Sequence, residues 1–477
     1  MSLFSFYRIS KPSAEKVPAE KVASTYKSLR NKTFWGATIA YSLYYICRMS
    51  VSIFKQPLID GDVLTAGQLG LIGSSFMFVY AIGKFLNGFI ADYCNIRRFM
   101  ATGLFVSALV NLLMAVLGIF QNMLPSMLIF VLFAILWGMN GLSQSMGSAP
   151  GVISLSRWFP LSKRGSYYSL FSTSPDIGKF FSYLILGWIC GVAGWQFGFM
   201  AASVAGLLGA GLILLMVSDT PESKGLPSVQ ELSGESLTKV DKKPTKELQK
   251  FVLKHPGVWV IALSSAFLYI TKNAVDGWGV LFLQEARGFD MSEATRILAY
   301  SVGFSIAGTV SAGWLSDKVF RGDRIKPALI SGIMCAVSLA LFLFIGGSYV
   351  MNIVYVSMFS YSMGVLYCVV AGLMAVDIVP RKATGAALGI VGISSYVAAG
   401  LQDITSGYLI QYNTVEVLNA AGEVNKVYDF GPVSWFWVVA AVISFALPVL
   451  NWNKLRTKTL QEANAPEKAV QPSQSEK

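Results

Sequence analysis

Apolar runs of helical length alternate with short polar joints along the whole chain, most clearly Phe34 to Tyr45, Met100 to Phe120, Met127 to Trp137, Leu184 to Val217 and Ile330 to Gly346. A bilayer core takes roughly 20 residues of helix to cross. The pattern predicts twelve spans, at 34–54, 69–91, 99–119, 125–148, 165–190, 195–217, 256–283, 293–316, 327–346, 350–376, 384–410 and 433–451. Inside lipid each backbone amide must find its partner within the protein, which leaves helices as the spanning element for runs of this length. Composition agrees, since 54% of the 477 residues are hydrophobic and 13% are charged, where a soluble domain carries about a quarter charged residues. The expected fold is an all-α membrane protein, with the lipid bilayer as its surroundings.

The formal net charge of +12 would suit a nucleic-acid binder if the basic residues formed a patch, but they follow the joints instead. The N-terminus, the even-numbered joints and the C-terminus hold 30 of the 38 Lys and Arg, whereas the odd-numbered joints hold only Lys55, Arg287 and Lys426. Positive charge collects on the cytoplasmic side of membrane proteins, so both termini are expected in the cytoplasm. The basic excess then faces anionic lipid, and no nucleic acid is expected as a partner. Residues 1–33 mix basic and acidic side chains and do not read as a secretory signal. Cys47, Cys94, Cys190, Cys335 and Cys368 lie far apart, and the single histidine, His255, sits at a joint where a surface position is expected. Neither metal-ligand nor redox spacing occurs, and nothing resembles a nucleotide-binding loop. The sequence therefore points to no metal, no cofactor and no enzymatic chemistry.

Patterns recur at a nearly constant offset. Tyr45 and Arg48 match Tyr269 and Lys272, 224 residues on, while Gly88-x3-Asp92 matches Gly313-x3-Asp317, 225 on. Such a repeat is the trace of two parallel halves with a substrate site between them near the membrane midplane. The division expected is an N-terminal segment 1–33, a six-helix half 34–217, a polar linker 218–255, a second half 256–451 and a tail 452–477. The element Gly88 to Arg98 resembles the loop signature of the major facilitator superfamily, with Gly313 to Arg324 as its second copy. Asp92 with Arg97, and Asp317 with Arg321, are expected to form gating or structural charge networks rather than to touch substrate.

Five basic residues fall within or near spans: Arg48, Lys84, Lys179, Lys272 and Arg296. A cation at the bilayer centre costs about 2.5–3.5 kcal/mol even on insertion scales, so each should face the bundle interior with a partner. Arg48 shares a helical face with Tyr41, Tyr44, Tyr45 and Ser52, and Lys272 follows Tyr269 by three residues. Two such cations facing one another suit a phosphate dianion, gripped bidentately by Arg and as a point charge by Lys. Lys84 is placed at the rim. Lys272 has Asp276 at i+4 and Lys179 has Asp176 at i−3, so intrahelical ion pairs are the competing explanation. Lys179 is read first as structural. Asp403 shares a face with Tyr396 and Gly400, which makes it a candidate to line the cavity, and Asp377 sits near another late span.

Taken together, Tyr41-Ser-Leu-Tyr-Tyr-Ile-Cys-Arg48, Tyr80-Ala-Ile-Gly-Lys84-Phe, Gln144-Ser-Met-Gly-Ser-Ala-Pro150, Arg157-Trp-Phe-Pro, Lys163-Arg-Gly165, Asp219-Thr-Pro-Glu-Ser-x-Gly-Leu-Pro227, Asp276-Gly-Trp278, Gly313-Trp-Leu-Ser-Asp317 and Pro380-Arg-Lys-Ala-x-Gly385 resemble the organophosphate:phosphate antiporters. These include hexose-phosphate, glycerol-phosphate and phosphoglycerate transporters and the glucose-6-phosphate translocase. The resemblance implies a twelve-helix major facilitator fold in a bacterial inner membrane, acting as a monomer. It implies exchange of a sugar phosphate, such as glucose 6-phosphate, for inorganic phosphate by alternating access. It assigns the phosphate clamp to Arg48 and Lys272, where most members have Arg, and the lining to Tyr41, Tyr45, Tyr269 and Tyr396, with Lys179, Asp276 and Asp403 as accessory candidates. The chain departs from the family at Phe171-Ser-Thr-Ser-Pro-Asp-Ile-Gly178-Lys179, where Pro175 replaces the usual His and Lys179 a Gly, and at Ser148 in place of a common Trp. Two alternatives stay open: a membrane sensor of sugar phosphate acting with a histidine kinase, and a proton-coupled carrier of an organic anion titrating at Asp276 or Asp403.

Overall fold

The computed structural model describes residues 6–233, 252–321, 323–379, 384–418 and 424–463. Twelve long helices run through them: α1 Ala19–Ile53, α2 Ala66–Ile90, α3 Ile96–Ile119, α4 Ser126–Trp158, α5 Ser174–Ala193, α6 Trp195–Met216, α7 Pro256–Glu285, α8 Met291–Trp314, α9 Ile325–Ile345, α10 Tyr349–Met374, α11 Thr384–Tyr412 and α12 Gly431–Ala463. Among the described residues, α2 to α12 each contain a stretch long and apolar enough to cross a membrane. The first, α1, is longer at 35 residues but is diluted by its polar first half.

Local chemistry sets the helix ends. Thr65 and Gln68 form a capping box at the start of α2, and Asp290 and Glu293 form one at the start of α8. Their 225-residue separation is the repeat offset again, now seen as matching helix starts in the two halves. Asn95 and Ser348 cap α3 and α10 through their side chains. Gly194, at φ 92°, turns the chain between α5 and α6, a conformation that L side chains rarely adopt.

Four features depart from the sequence expectation. Helix α1 begins at Ala19, directly after Pro18, rather than near residue 34. The run expected to cross at 165–190 is broken: Leu161–Phe171 is a separate helix, the chain turns at Ser172–Thr173, and α5 starts with Pro175 in its first turn. A proline can open a helix but cannot continue the hydrogen-bond ladder of the one before it. The joint between α11 and α12 holds a hairpin, β1 Thr414–Leu418 paired antiparallel with β2 Val424–Tyr428 in the register Thr414↔Tyr428. His255, expected at the surface, is 3% exposed and caps α7 by accepting from the Gly257 amide.

Between helices in lipid there is little hydrophobic driving force, so close approach depends on small residues. The two halves meet at the end of the bundle away from the termini. There Gly70 and Gly407 bring α2 and α11 into backbone contact, Gly187 of α5 packs on Thr295 of α8, and Gln56 donates to Glu285 at 2.8 Å. At the opposite end the N-terminal half is tied by Asp219, which accepts from Arg157 at 2.5 Å, the Ile96 amide at 3.0 Å and the Ser10 amide at 2.7 Å.

Candidate substrate-binding cavity

Between the halves lies a two-lobed cavity. One lobe, of about 120 Å³, reaches toward the closed end and is bordered by Arg48, Ser52, Lys55 and Asp403. The other, of about 300 Å³, runs past Tyr80 and Lys84 toward Tyr168 and Ser172, near the end that carries the termini. Tyr45, Lys179, Lys272, Tyr367 and Tyr396 border both lobes. The cavity thus gathers Arg48, Lys272, Tyr41, Tyr45, Tyr269, Lys84, Tyr396, Lys179, Asp276 and Asp403 around one space.

The Arg48 guanidinium rests on three aromatic faces, with its central carbon 5.3 Å from the Tyr45 ring centre, 5.0 Å from Phe76 and 4.6 Å from Tyr80. Ring faces hold a cation in place while leaving its N–H groups free to bond elsewhere. Among the described residues Arg48 forms no salt bridge, and its near neighbours are these rings. Lys84 likewise has no ion-pair partner among the described residues. Its Nζ lies 3.5 Å from the Tyr396 hydroxyl, and Tyr396 packs on Tyr80 at 4.8 Å and on Tyr269 at 5.3 Å between ring centres. The Tyr269 and Tyr367 hydroxyls are 2.6 Å apart.

Lys272 is placed differently from Arg48. It pairs with Asp276 one turn further along α7, and the same carboxylate reaches Lys179 of α5 at 3.4 Å. Lys179 in turn pairs with Asp176 at 3.2 Å. The intrahelical pairs expected from i+4 and i−3 spacing both form, yet Asp276 also joins them into one network across the two halves. Lys179 therefore has a structural partner and a place on the cavity wall at once. Asp403 is buried and accepts from the Trp278 indole at 2.9 Å.

Tyr44 and the two arginines expected to gate rather than to bind lie outside the cavity. Tyr44 turns out of the cavity and donates to the Met100 carbonyl at 2.5 Å. Arg97 donates to the Leu214 carbonyl, and Arg321 is exposed in a turn with φ 52°. The side chains of Asp92 and Asp317 lie outside the described residues. In the second copy of that loop element it is Arg324 that makes an ion pair, with Asp377 at 3.0 Å.

Sequence reasoning passed over Lys55, Phe76, Trp278 and Tyr367. Lys55 is the instructive case: it was assigned to a solvent joint, yet it is 2% exposed and its Nζ sits 3.2 Å from the Trp278 ring centre. The available signal was its spacing of seven residues from Arg48, two helical turns along the same face. Counted over both lobes, five cations (Arg48, Lys55, Lys84, Lys179 and Lys272) meet three carboxylates (Asp176, Asp276 and Asp403), a formal excess of two positive charges.

Comparison with known proteins places this cavity in a family context. The profile of the Major Facilitator Superfamily matches residues 37–402. The chain is 30% identical to the glycerol-3-phosphate transporter of Bacillus subtilis over 81% of its own length and 87% of that protein. It is 34% identical to a probable hexose phosphate transport protein of Chlamydia pneumoniae, covering 67% of this chain and 71% of that one. It is 31% identical to the membrane sensor protein UhpC of Salmonella typhimurium, covering 77% and 82%. Among solved structures, a bacterial homologue of the human lysosomal transporter Spinster superposes with a TM-score of 0.71 at 18% identity, over 91% of this chain and 98% of that one, a likeness of fold.

Proposed function

This chain belongs to the organophosphate:phosphate antiporter family of the major facilitator superfamily, and on that premise we propose that it exchanges a hexose phosphate, such as glucose 6-phosphate, for inorganic phosphate. The observation that carries this reading is the Arg48 guanidinium, seated on three rings inside the central cavity with no ion-pair partner among the described residues. Such a group is preorganised for an anion, and its planar fork matches two oxygens of a phosphate. Lys84 supplies a second charge beside Tyr396, and the Tyr80 and Tyr396 hydroxyls offer further donors. The cavity's excess of two positive charges equals the charge of a phosphomonoester dianion, whose second ionisation falls near pH 6.

In this account Lys272 joins the clamp only when phosphate displaces Asp276 from it. The Asp276 network then serves as the resting counter-charge of the empty carrier, tying Lys179 of one half to Lys272 of the other. Binding exchanges an internal anion for an external one, and the halves rock about the filled site to expose either face. An empty cavity keeps Arg48 and Lys84 unneutralised in low dielectric, which disfavours occlusion without cargo and so favours exchange over leak. The bias of Lys and Arg to the joints at the end carrying both termini supports a cytoplasmic orientation of that end, with the bacterial inner membrane as the proposed location. The working unit in this proposal is the monomer that the family resemblance implies, and one chain lining the whole cavity is consistent with it.

The similarity to a membrane sensor protein supports a second reading, in which the same cavity reports external sugar phosphate with little flux. Proteoliposomes loaded with inorganic phosphate separate the two. A carrier releases the internal phosphate when glucose 6-phosphate is added outside, and liposomes loaded with chloride take up none. A sensor binds the sugar phosphate but releases nothing, which would overturn the exchange reading.

A further inference from the structure

At the closed end of the cavity, Lys55, Trp278 and Asp403 form a unit that the phosphate site does not use. Lys55 comes from the short helix Lys55–Asp60 after α1, in the N-terminal half, whereas Trp278 of α7 and Asp403 of α11 belong to the other half. The indole bridges two opposite charges: its face holds the Lys55 ammonium 3.2 Å from the ring centre, and its N–H donates to the Asp403 carboxylate at 2.9 Å. Lys55 and Asp403 are thus joined through one indole, and both side chains are almost wholly buried. The approach is tight as well. A Cβ on Gly73 of α2 would stand 2.6 Å from a carboxylate oxygen of Asp403, and one on Gly70 would stand 2.4 Å from the Asp403 carbonyl oxygen. Lys55 and Asp403 nonetheless both border the lobe that also holds Arg48 and Lys272.

We propose that Lys55 is an anion-capture residue for the phosphate group at the outer face, held and masked by Trp278 and Asp403 while that face is closed. Opening the outer face must separate α2 from α11, and this separation carries Lys55 away from Trp278 and Asp403 because they lie on different halves. The freed ammonium then stands at the mouth of the cavity, two helical turns before Arg48, where an incoming phosphate meets it first. Burying a cation near an opposite charge costs less than burying it alone, so Lys55 exchanges the Trp278–Asp403 unit for phosphate on opening and phosphate for that unit on closing. The Lys55–Trp278–Asp403 bridge thus serves as a latch in one state, and its cation serves as a binding group in the other. This inference rests on the exchange reading for its ligand, while the latch itself does not.

The test uses the full-length protein in right-side-out and inverted membrane vesicles, with inorganic phosphate and glucose 6-phosphate as substrates. Lys55→Ala should raise KM at the outer face about tenfold, the loss of one charge-assisted hydrogen bond, and change it less than twofold at the inner face. An equal rise at both faces, or none, overturns the capture role. The latch is read without any flux, by the rate at which an impermeant maleimide added outside labels Ser52→Cys on the wall of the same lobe. The background carries Cys368→Ser, since the other four cysteines are buried. Trp278→Phe, which keeps an aromatic face but loses the N–H, should speed labelling several-fold, as should the double variant Lys55→Met/Asp403→Asn, which leaves no unpaired charge. Labelling no faster than in the parent overturns the latch. Faster labelling in a protein that exchanges no phosphate would support the latch and sink the exchange reading instead.

Discussion

Asp276→Asn is the substitution that most sharply separates a counter-charge from a proton carrier. In the empty cavity Asp276 holds two cations, Lys272 on its own helix and Lys179 at 3.4 Å across the interface. At that separation and an effective dielectric near 20, the gross attraction between one such pair is about 5 kcal/mol, before the cost of desolvation. Phosphate must displace this carboxylate to reach Lys272, so removing its charge while keeping its shape spares the substrate that competition. The cavity's formal excess rises by one positive charge, and Lys272 becomes free to donate. A hydrogen bond to a charged group contributes about 1.5–3 kcal/mol, so binding of phosphate and of hexose phosphate should tighten roughly 10- to 100-fold. Turnover should fall, because a more stable loaded state deepens the well that the carrier must leave. The assay is equilibrium binding of radiolabelled phosphate to purified protein, paired with initial exchange rates in proteoliposomes. Weaker binding in Asp276→Asn, or loss of a pH dependence present in the parent, would refute the counter-charge account and favour a titrating role for Asp276.

Other outcomes follow from the same geometry. Lys84→Ala should weaken phosphate binding more than Lys272→Ala does, because Asp276 already offsets Lys272, and isothermal titration of both variants would read the difference. Tyr396→Phe removes one hydroxyl beside Lys84 and should cost about 0.5–1.5 kcal/mol, up to roughly tenfold in Kd. Gly70→Ala forces a methyl group onto the Asp403 backbone and should cost the closed outer face about 1–3 kcal/mol, seen as faster labelling of Ser52→Cys from outside. Arg157→Ala leaves the buried Asp219 carboxylate without its ion partner and should destabilise the protein by about 3–5 kcal/mol, read as a lower melting temperature at unchanged substrate affinity.

Hydropathy made eleven of the crossings legible because each presents an almost unbroken apolar run, and the 224–225 offset exposed the repeat because both halves keep the same chemistry at the same depth. Arg48 stood out because a charge in a lipid-length run is costly and must have a use. The true start of α1 was hidden, since its first half is polar and hydropathy does not register such a helix. The break before α5 was written in Ser172-Thr173-Ser174-Pro175, but the flanking apolar residues masked it. Lys55 was obscured for a different reason. A lysine in a joint reads as solvated, and only the fold brings Trp278 and Asp403 from more than 220 residues away to cover it. Pairing within a helix could be foreseen from i+4 spacing, whereas the reach of Asp276 across to Lys179 could not, because it depends on how the halves dock.

The central claim is that a phosphate group is held in this cavity by Arg48. Its most direct test is self-exchange of radiolabelled inorganic phosphate in proteoliposomes, comparing the parent protein with Arg48→Ala at equal, verified insertion and with external glucose 6-phosphate as competitor. Loss of a bidentate charged contact of about 3 kcal/mol predicts that exchange at subsaturating phosphate falls roughly 100-fold, while parent exchange is competed by glucose 6-phosphate. Exchange by Arg48→Ala at a rate near that of the parent, or a parent protein that exchanges no phosphate, would contradict it.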